Sequence, residues 1–122
     1  MEQAEDDLES AVVLRDAGKH AQACFMAQQA AEKALKAAHL SRLREYHLHA
    51  IQDLLKRLEM PIPPELLEKA AVLDHYYIPT RYANGHAEGA PFRHYTSLQS
   101  RDAIAYAREI AEFARTHLAE SR

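Results

Sequence analysis

The chain has three glycines, one cysteine and no tryptophan among its 122 residues, and each scarcity removes a class of function. Three glycines cannot build a phosphate-cradling loop or a dinucleotide fingerprint, which need several within a few positions so that backbone N–H groups can approach the phosphates. A lone Cys24 excludes disulfides within the chain and leaves no cysteine set for a metal, which fits a reducing, cytoplasmic setting. Because Cys24 sits in an alanine-rich apolar run, and no Gly-x-Ser-x-Gly elbow is present, neither a thiol nor a serine nucleophile is expected. No apolar run approaches the length needed to span a bilayer, and the acidic start Glu2-Gln3-Ala4-Glu5-Asp6-Asp7 is unlike a signal or transit peptide. A basic excess is missing too: the net charge is -3 and the pI about 6.2, so any contact with nucleic acid must be local.

What is present is ordinary for a globular domain, with 48% hydrophobic and 27% charged residues, and the length suits a single domain over 1–122. Residues 3–17 place Ala4, Leu8, Ala11, Val12 and Leu14 at helical spacing behind an acidic first turn, and Gly18 follows where a C-terminal cap belongs. Residues 20–42 run without Gly or Pro; Ala23, Ala27, Ala30, Ala31 and Ala34 are small, while Phe25, Met26, Leu35 and Leu40 supply bulk. The short connection predicts an antiparallel hairpin. A third helix is expected over 49–59 and ends at Pro61-Ile62-Pro63-Pro64; Pro64 opens a fourth that carries Leu66, Leu67, Ala70, Leu73 and Tyr77 up to Pro79. Thr96-x-x-Gln99 has capping-box spacing and starts a fifth helix to about Leu118, with Ala103, Ala107, Ile110, Phe113 and Ala114 as its apolar stripe. The fold class is therefore all-α, an antiparallel up-and-down bundle of about five helices.

The segment from Pro79 to Tyr95 does not fit a plain bundle. Irregular connections of this length are usually functional or disordered. It holds two of the three glycines, Gly85 and Gly89, together with Arg81, Arg93, His86, His94, Tyr82 and Tyr95. From Tyr76 through Arg101 the arginines outnumber the single acid, Glu88. Arginine offers phosphate a planar fork of donors, histidine moves protons near neutral pH, and tyrosine rings stack on bases. The structural alternative is that Arg81 pairs with Asp74 or a helix end and that His86 and His94 are solvated.

Elsewhere, Gln28, Gln29, Glu32, Lys33 and Lys36 share one stretch, where cross-bundle hydrogen bonding and a Glu32–Lys36 pair are the plainer reading and a nucleotide pocket the sharper one. His47, His49 and His75 form no His-x3-His pair, so no metal and no cofactor is expected; His49 reads as a cap or polar anchor for the third helix.

The run Ala27-Gln28-Gln29-Ala30-Ala31-Glu32-Lys33-Ala34-Leu35-Lys36-Ala37 resembles the second-helix signature of prokaryotic HEPN-domain proteins. Leu8 through Gly18, His49-Ala50-Ile51-Gln52-Asp53-Leu54-Leu55 and Leu73-Asp74-His75-Tyr76-Tyr77-Ile78-Pro79-Thr80-Arg81-Tyr82 agree in order and spacing. The resemblance implies a homodimer that acts with a minimal nucleotidyltransferase and binds a nucleotide or RNA. In many branches it also implies a metal-independent ribonuclease site at the dimer interface, made of Arg, four to six residues, and His, and some of these act as the toxin of a toxin–antitoxin pair. Carried over, Arg81 and His86 are the expected catalytic pair; from the chemistry of the loop itself, Tyr82, Arg93, His94 and Tyr95 are the expected substrate contacts. Tyr82 stands where the nuclease form commonly has a polar residue, and Ala83 where this branch more often has proline, so whether the chain is an enzyme stays open. The alternative is a non-catalytic dimeric module that holds or inhibits its nucleotidyltransferase partner.

Overall fold

Helix α1, Glu2–Asp16, begins with Glu2 and Glu5 in its first turn, where exposed N–H groups favour negative charge. It stops at Gly18, whose φ of 79° closes a Schellman motif: Gly18 N–H donates to the Arg15 carbonyl and Lys19 N–H to that of Leu14. The reversal sets α1 antiparallel to α2, His20–Leu40. The computed structural model describes residues 1–77 and 95–118, and among these there are five helices and no strand.

Helix α2 packs against every other helix. What permits this is side-chain size. Ala23, Ala27, Ala30, Ala31, Ala34 and Ala38 are fully buried, as are Ala4 and Ala11 of α1 and Ala103, Ala107 and Ala114 of α5, so backbones approach without bulky side chains between them. Leu35, Leu54, Leu55, Ile51, Leu73 and Ile110 fill the remaining space at no exposure. Leu40, expected among the bulk of this core, is 53% exposed because it closes the last turn of α2.

The third helix is shorter than its sequence pattern. Expected over 49–59, α3 spans Ile51–Lys56, and six residues cannot hold a helix alone. Neighbours secure both ends. Asp74 accepts from the backbone N–H of Ile51 at 2.5 Å and of Gln52 at 3.3 Å, which caps the N-terminus from another helix. At the other end, His39 donates through Nε2 to the Leu54 carbonyl at 2.8 Å, and Arg44 donates to that of Arg57 at 3.1 Å. The N-cap position itself is Ala50 and has no side-chain cap, so His49 does not cap.

Helix α4, Pro64–Asp74, opens on its proline as expected and ends three residues before Tyr77. His75, Tyr76 and Tyr77 tighten to bonds on the carbonyls three residues back, which ends the α-helical register. Helix α5, Ser97–Thr116, starts with the capping box foreseen at Thr96 and Gln99: Gln99 N–H donates to Thr96 Oγ1 at 3.2 Å, and Thr96 N–H donates to Gln99 Oε1 at 2.8 Å.

Two consequences are testable. Leu35→Ala and Leu54→Ala should each cost about 2–5 kcal/mol in denaturant unfolding, the range for buried leucine. His39 is fully buried with its Nδ1 unpartnered. Burial pushes its protonation below the usual range, the Leu54 carbonyl partly opposes this, and Arg44, Arg42 and Arg57 lower it further. A depressed folded value stabilises the fold above the ordinary histidine range of about 6.5 and loses that contribution as pH falls through the folded value. Stability should therefore fall on acidification, and His39→Gln, which keeps a donor for Leu54 but cannot titrate, should show a smaller fall in the same urea series.

Candidate functional site

The polar residues of the α2 signature lie on a stripe that the alanines leave free, and at its centre is Glu32, only 6% exposed. A carboxylate removed from water must be matched by donors. Glu32 has three: Gln28 Nε2 at 3.2 Å on one oxygen, and Lys36 Nζ at 2.8 Å with His49 Nδ1 at 3.1 Å on the other. The expected Glu32–Lys36 pair is thus one arm of a larger network. Gln28, fully buried, also donates to the His49 carbonyl at 3.2 Å and accepts from Gln29 at 2.7 Å, so the chain leading into α3 is tied to α2 through both backbone and side chain.

His49 is fixed a second time by stacking: its ring lies 4.7 Å from that of Tyr77 with the planes inclined by only 13°. The anchor role foreseen for His49 is the one it fills. Asp74, three residues before Tyr77, caps α3 nearby; burial raises its carboxyl above the usual range, and the two backbone N–H groups it accepts from pull the other way. Asp74 is therefore engaged with α3.

On the far side of the segment that follows Tyr77, the chain returns at Tyr95 and Thr96. Tyr95 packs 5.8 Å from Tyr76 against the core. Burial pushes the Tyr76 phenol up to about 12 and raises Tyr95 as well, so both hydroxyls stay protonated donors. Cys24, beside Tyr76 and fully buried, is likewise pushed up to about 12 by burial, which keeps it a thiol and removes it as a nucleophile. His20 reaches Ser100 Oγ at 2.9 Å and locks the start of α5 to the start of α2.

Of the residues expected to act on a substrate, Tyr95 is described, while Arg81, Tyr82, His86, Arg93 and His94 lie outside the described residues. No group of three or more His, Cys, Asp or Glu able to hold a metal occurs among the described residues. No helix is long and apolar enough to cross a membrane among them. Sequence reasoning did not foresee that His49 and Glu32, 17 positions apart, would meet, nor that Asp74 would cap α3. The available signal was the cluster Gln28, Gln29, Glu32 and Lys36 in an alanine helix, polar groups at a spacing that requires partners from elsewhere.

Chemically, the frame offers a half-exposed imidazole held at one nitrogen by a buried carboxylate, and a neighbouring ammonium that is 29% exposed. Such a pair can accept or donate hydrogen bonds and attract an anion.

Comparison with known proteins agrees with the fold. The HEPN domain family matches residues 1–117. Among solved structures, the chain is similar to TT1696 from Thermus thermophilus, at 45% identity over 96% of this chain and 94% of that one, with a TM-score of 0.85. It is similar to ST0689, an archaeal HEPN homologue, at 35% identity over 97% and 93%, with a TM-score of 0.81. A HEPN domain protein of Thermotoga maritima, TM0613, is 31% identical over 99% and 98%, with a TM-score of 0.78. No curated protein matches. With the five-helix bundle and the α2 signature in place, the chain belongs to the HEPN domain family.

Proposed function

We propose that this HEPN chain binds a nucleotide or an RNA phosphate beside the C-terminal end of α4, acting with a minimal nucleotidyltransferase in a toxin–antitoxin type of pair. The observation that carries the reading is the Glu32–Lys36–His49 frame, with Tyr77 stacked on it, at the point where the chain enters the segment bearing Arg81 and His86. The frame presents a half-exposed imidazole and a partly exposed ammonium on one buried carboxylate, groups able to hydrogen-bond a ligand and to attract an anion. In the ribonuclease form of the proposal, Arg81 stabilises charge on the phosphorane-like transition state and His86 transfers protons during 2′-hydroxyl attack, which leaves a cyclic phosphate. No metal enters that scheme.

Arg81→Ala and His86→Ala should each weaken binding of 5′-AMP or a short RNA by about tenfold, the scale of a lost charge-assisted hydrogen bond, with helicity by circular dichroism unchanged. Any cleavage should persist in excess chelator and vanish on 2′-deoxy substrate. The salt dependence should be shallow, since few phosphate contacts are available to a chain of charge -3. Binding and cleavage unaffected in the double variant would leave the non-catalytic module as the better reading.

A homodimer is part of the proposal. It is supported by the exposed Val13 of α1, 67% exposed, and by a shallow groove that Glu5, Leu8, Glu9 and Val12 of α1 form with Arg108 of α5. Sedimentation at micromolar concentration should give a dimer; a strict monomer would remove any site composed across two copies.

A further inference from the structure

The side of the bundle formed by α1 and α5 carries charges of opposite sign in two adjacent columns. On α1, Glu2, Asp6, Glu9, Val13 and Asp16 are exposed at intervals of three or four residues, so they form one stripe that is acidic apart from Val13. On α5, Leu98, Arg101, Ala105, Arg108, Glu112 and Arg115 are exposed at the same intervals, with an arginine at every seventh position. The stripes lie side by side: Arg115 pairs with Glu5, and Arg108 borders the shallow groove lined by Glu5, Leu8, Glu9 and Val12. The two helices run in opposite directions, because Ser100 near the start of α5 meets His20 at the start of α2, whereas Asp7 of α1 meets Lys33 well along α2. Part of the charge is satisfied within the chain. Asp16 has Arg15 at 3.0 Å, Arg101 has Asp102 at 3.4 Å, and Arg115 is shared by Glu5 and Glu112. Glu2, Asp6, Glu9 and Arg108 have no ion pair among the described residues.

A partner charged with one sign would be attracted to one column and repelled by the other. A second copy of the chain brings both columns. With the helices aligned, two-fold symmetry can lay this face on itself in two ways. An axis across the helices sets each stripe on its own counterpart, acid on acid and arginine on arginine. An axis parallel to the helices and over the groove sets each α1 on the α5 of the other copy, where opposite charges meet. Like charges opposed across an interface cost far more than exposed opposite pairs return, so charge selects the second arrangement more than it drives association. The apolar contribution comes from Val13, 67% exposed, against the small exposed Ala105, and from Leu8 and Val12 as each copy closes the groove of the other. Resting on the homodimer reading above, we propose that the chain pairs with a second copy through α1 and α5, Glu9 of each facing Arg108 of the other across a two-fold axis parallel to the helices. Such an axis keeps ends matched. Tyr77 and Tyr95, between which Arg81 and His86 lie in the chain, therefore stand at the same end of the dimer in both copies, with Tyr76 packed on Tyr95 there.

The test is sedimentation of the whole chain with charges reversed. Glu9→Arg and Arg108→Glu each put like charges at both symmetric contacts, so each variant alone should dimerise about a hundredfold more weakly than the wild type. An equimolar mixture of the two variants should dimerise as the wild type does: at one contact the two reversed groups face each other, and at the other Glu9 meets Arg108. Both positions are exposed, so helicity by circular dichroism should be unchanged. The wild type alone supplies a second measurement, since raising NaCl from about 0.05 M to about 0.5 M screens exposed charges and should weaken the dimer severalfold. If either variant dimerises like the wild type, if the mixture of monomeric variants stays monomeric, or if salt has no effect, the α1–α5 interface is overturned while a homodimer through another face stands. A strictly monomeric wild type overturns both.

Discussion

Close approach to α2 is the constraint from which the rest of this structure follows. A helix that touches four others has almost no surface left for water, and only small side chains let backbones come near enough on so many sides. The buried alanines of α2, matched by Ala4 and Ala11 on α1 and Ala103, Ala107 and Ala114 on α5, satisfy that condition. They bury little apolar area each, so the larger residues Leu35, Ile51, Leu54, Leu55 and Leu73 cluster where α3 and α4 join the central helix. Polar links supplement this packing at its edges. Lys33 of α2 reaches Asp7 of α1 at 2.7 Å, and Gln3 completes that carboxylate at 2.9 Å.

The same crowding explains where the site can be. With the other sides of α2 occupied by alanine contacts, Gln28, Glu32 and Lys36 share the remaining stripe, and burial forces them to find partners. They find them in the chain entering α3, and through His49 they reach the end of α4. A six-residue helix thus becomes part of a rigid frame: Asp74 holds its beginning, His39 and Arg44 its end, and Gln52 donates to the Leu67 carbonyl at 3.0 Å to bind it to α4. The frame joins α2, the chain entering α3 and Tyr77 just after α4, so an α2 signature that reads as packing also fixes the position of His49.

Much of the fold was legible because helices announce themselves through local rules. Gly18 as a cap, Pro64 as a first-turn residue and the Thr96–Gln99 box each act within a few positions of themselves, and each stands where its spacing predicted. The short span of α3 was not legible, because its ends rest on Asp74, His39 and Arg44 satisfying backbone groups 13 to 23 residues away. Site legibility divides the same way. The i, i+4 pair of Glu32 and Lys36 is a local feature and was foreseen, whereas the His49–Glu32 contact and the stacking on Tyr77 arise only when three elements converge. Arg81 and His86, singled out by their spacing, lie outside the described residues.

The central claim is that one buried carboxylate organises the frame, so that Glu32 sets the position of both His49 and Tyr77. Proton–proton contacts between the two rings, measured by NMR in the wild-type chain and in Glu32→Ala, test it most directly. The account predicts clear His49–Tyr77 contacts in the wild type and their loss in the variant, with the α2 amide pattern preserved. Contacts of equal strength in both proteins would show that the rings are held without Glu32 and would contradict the account.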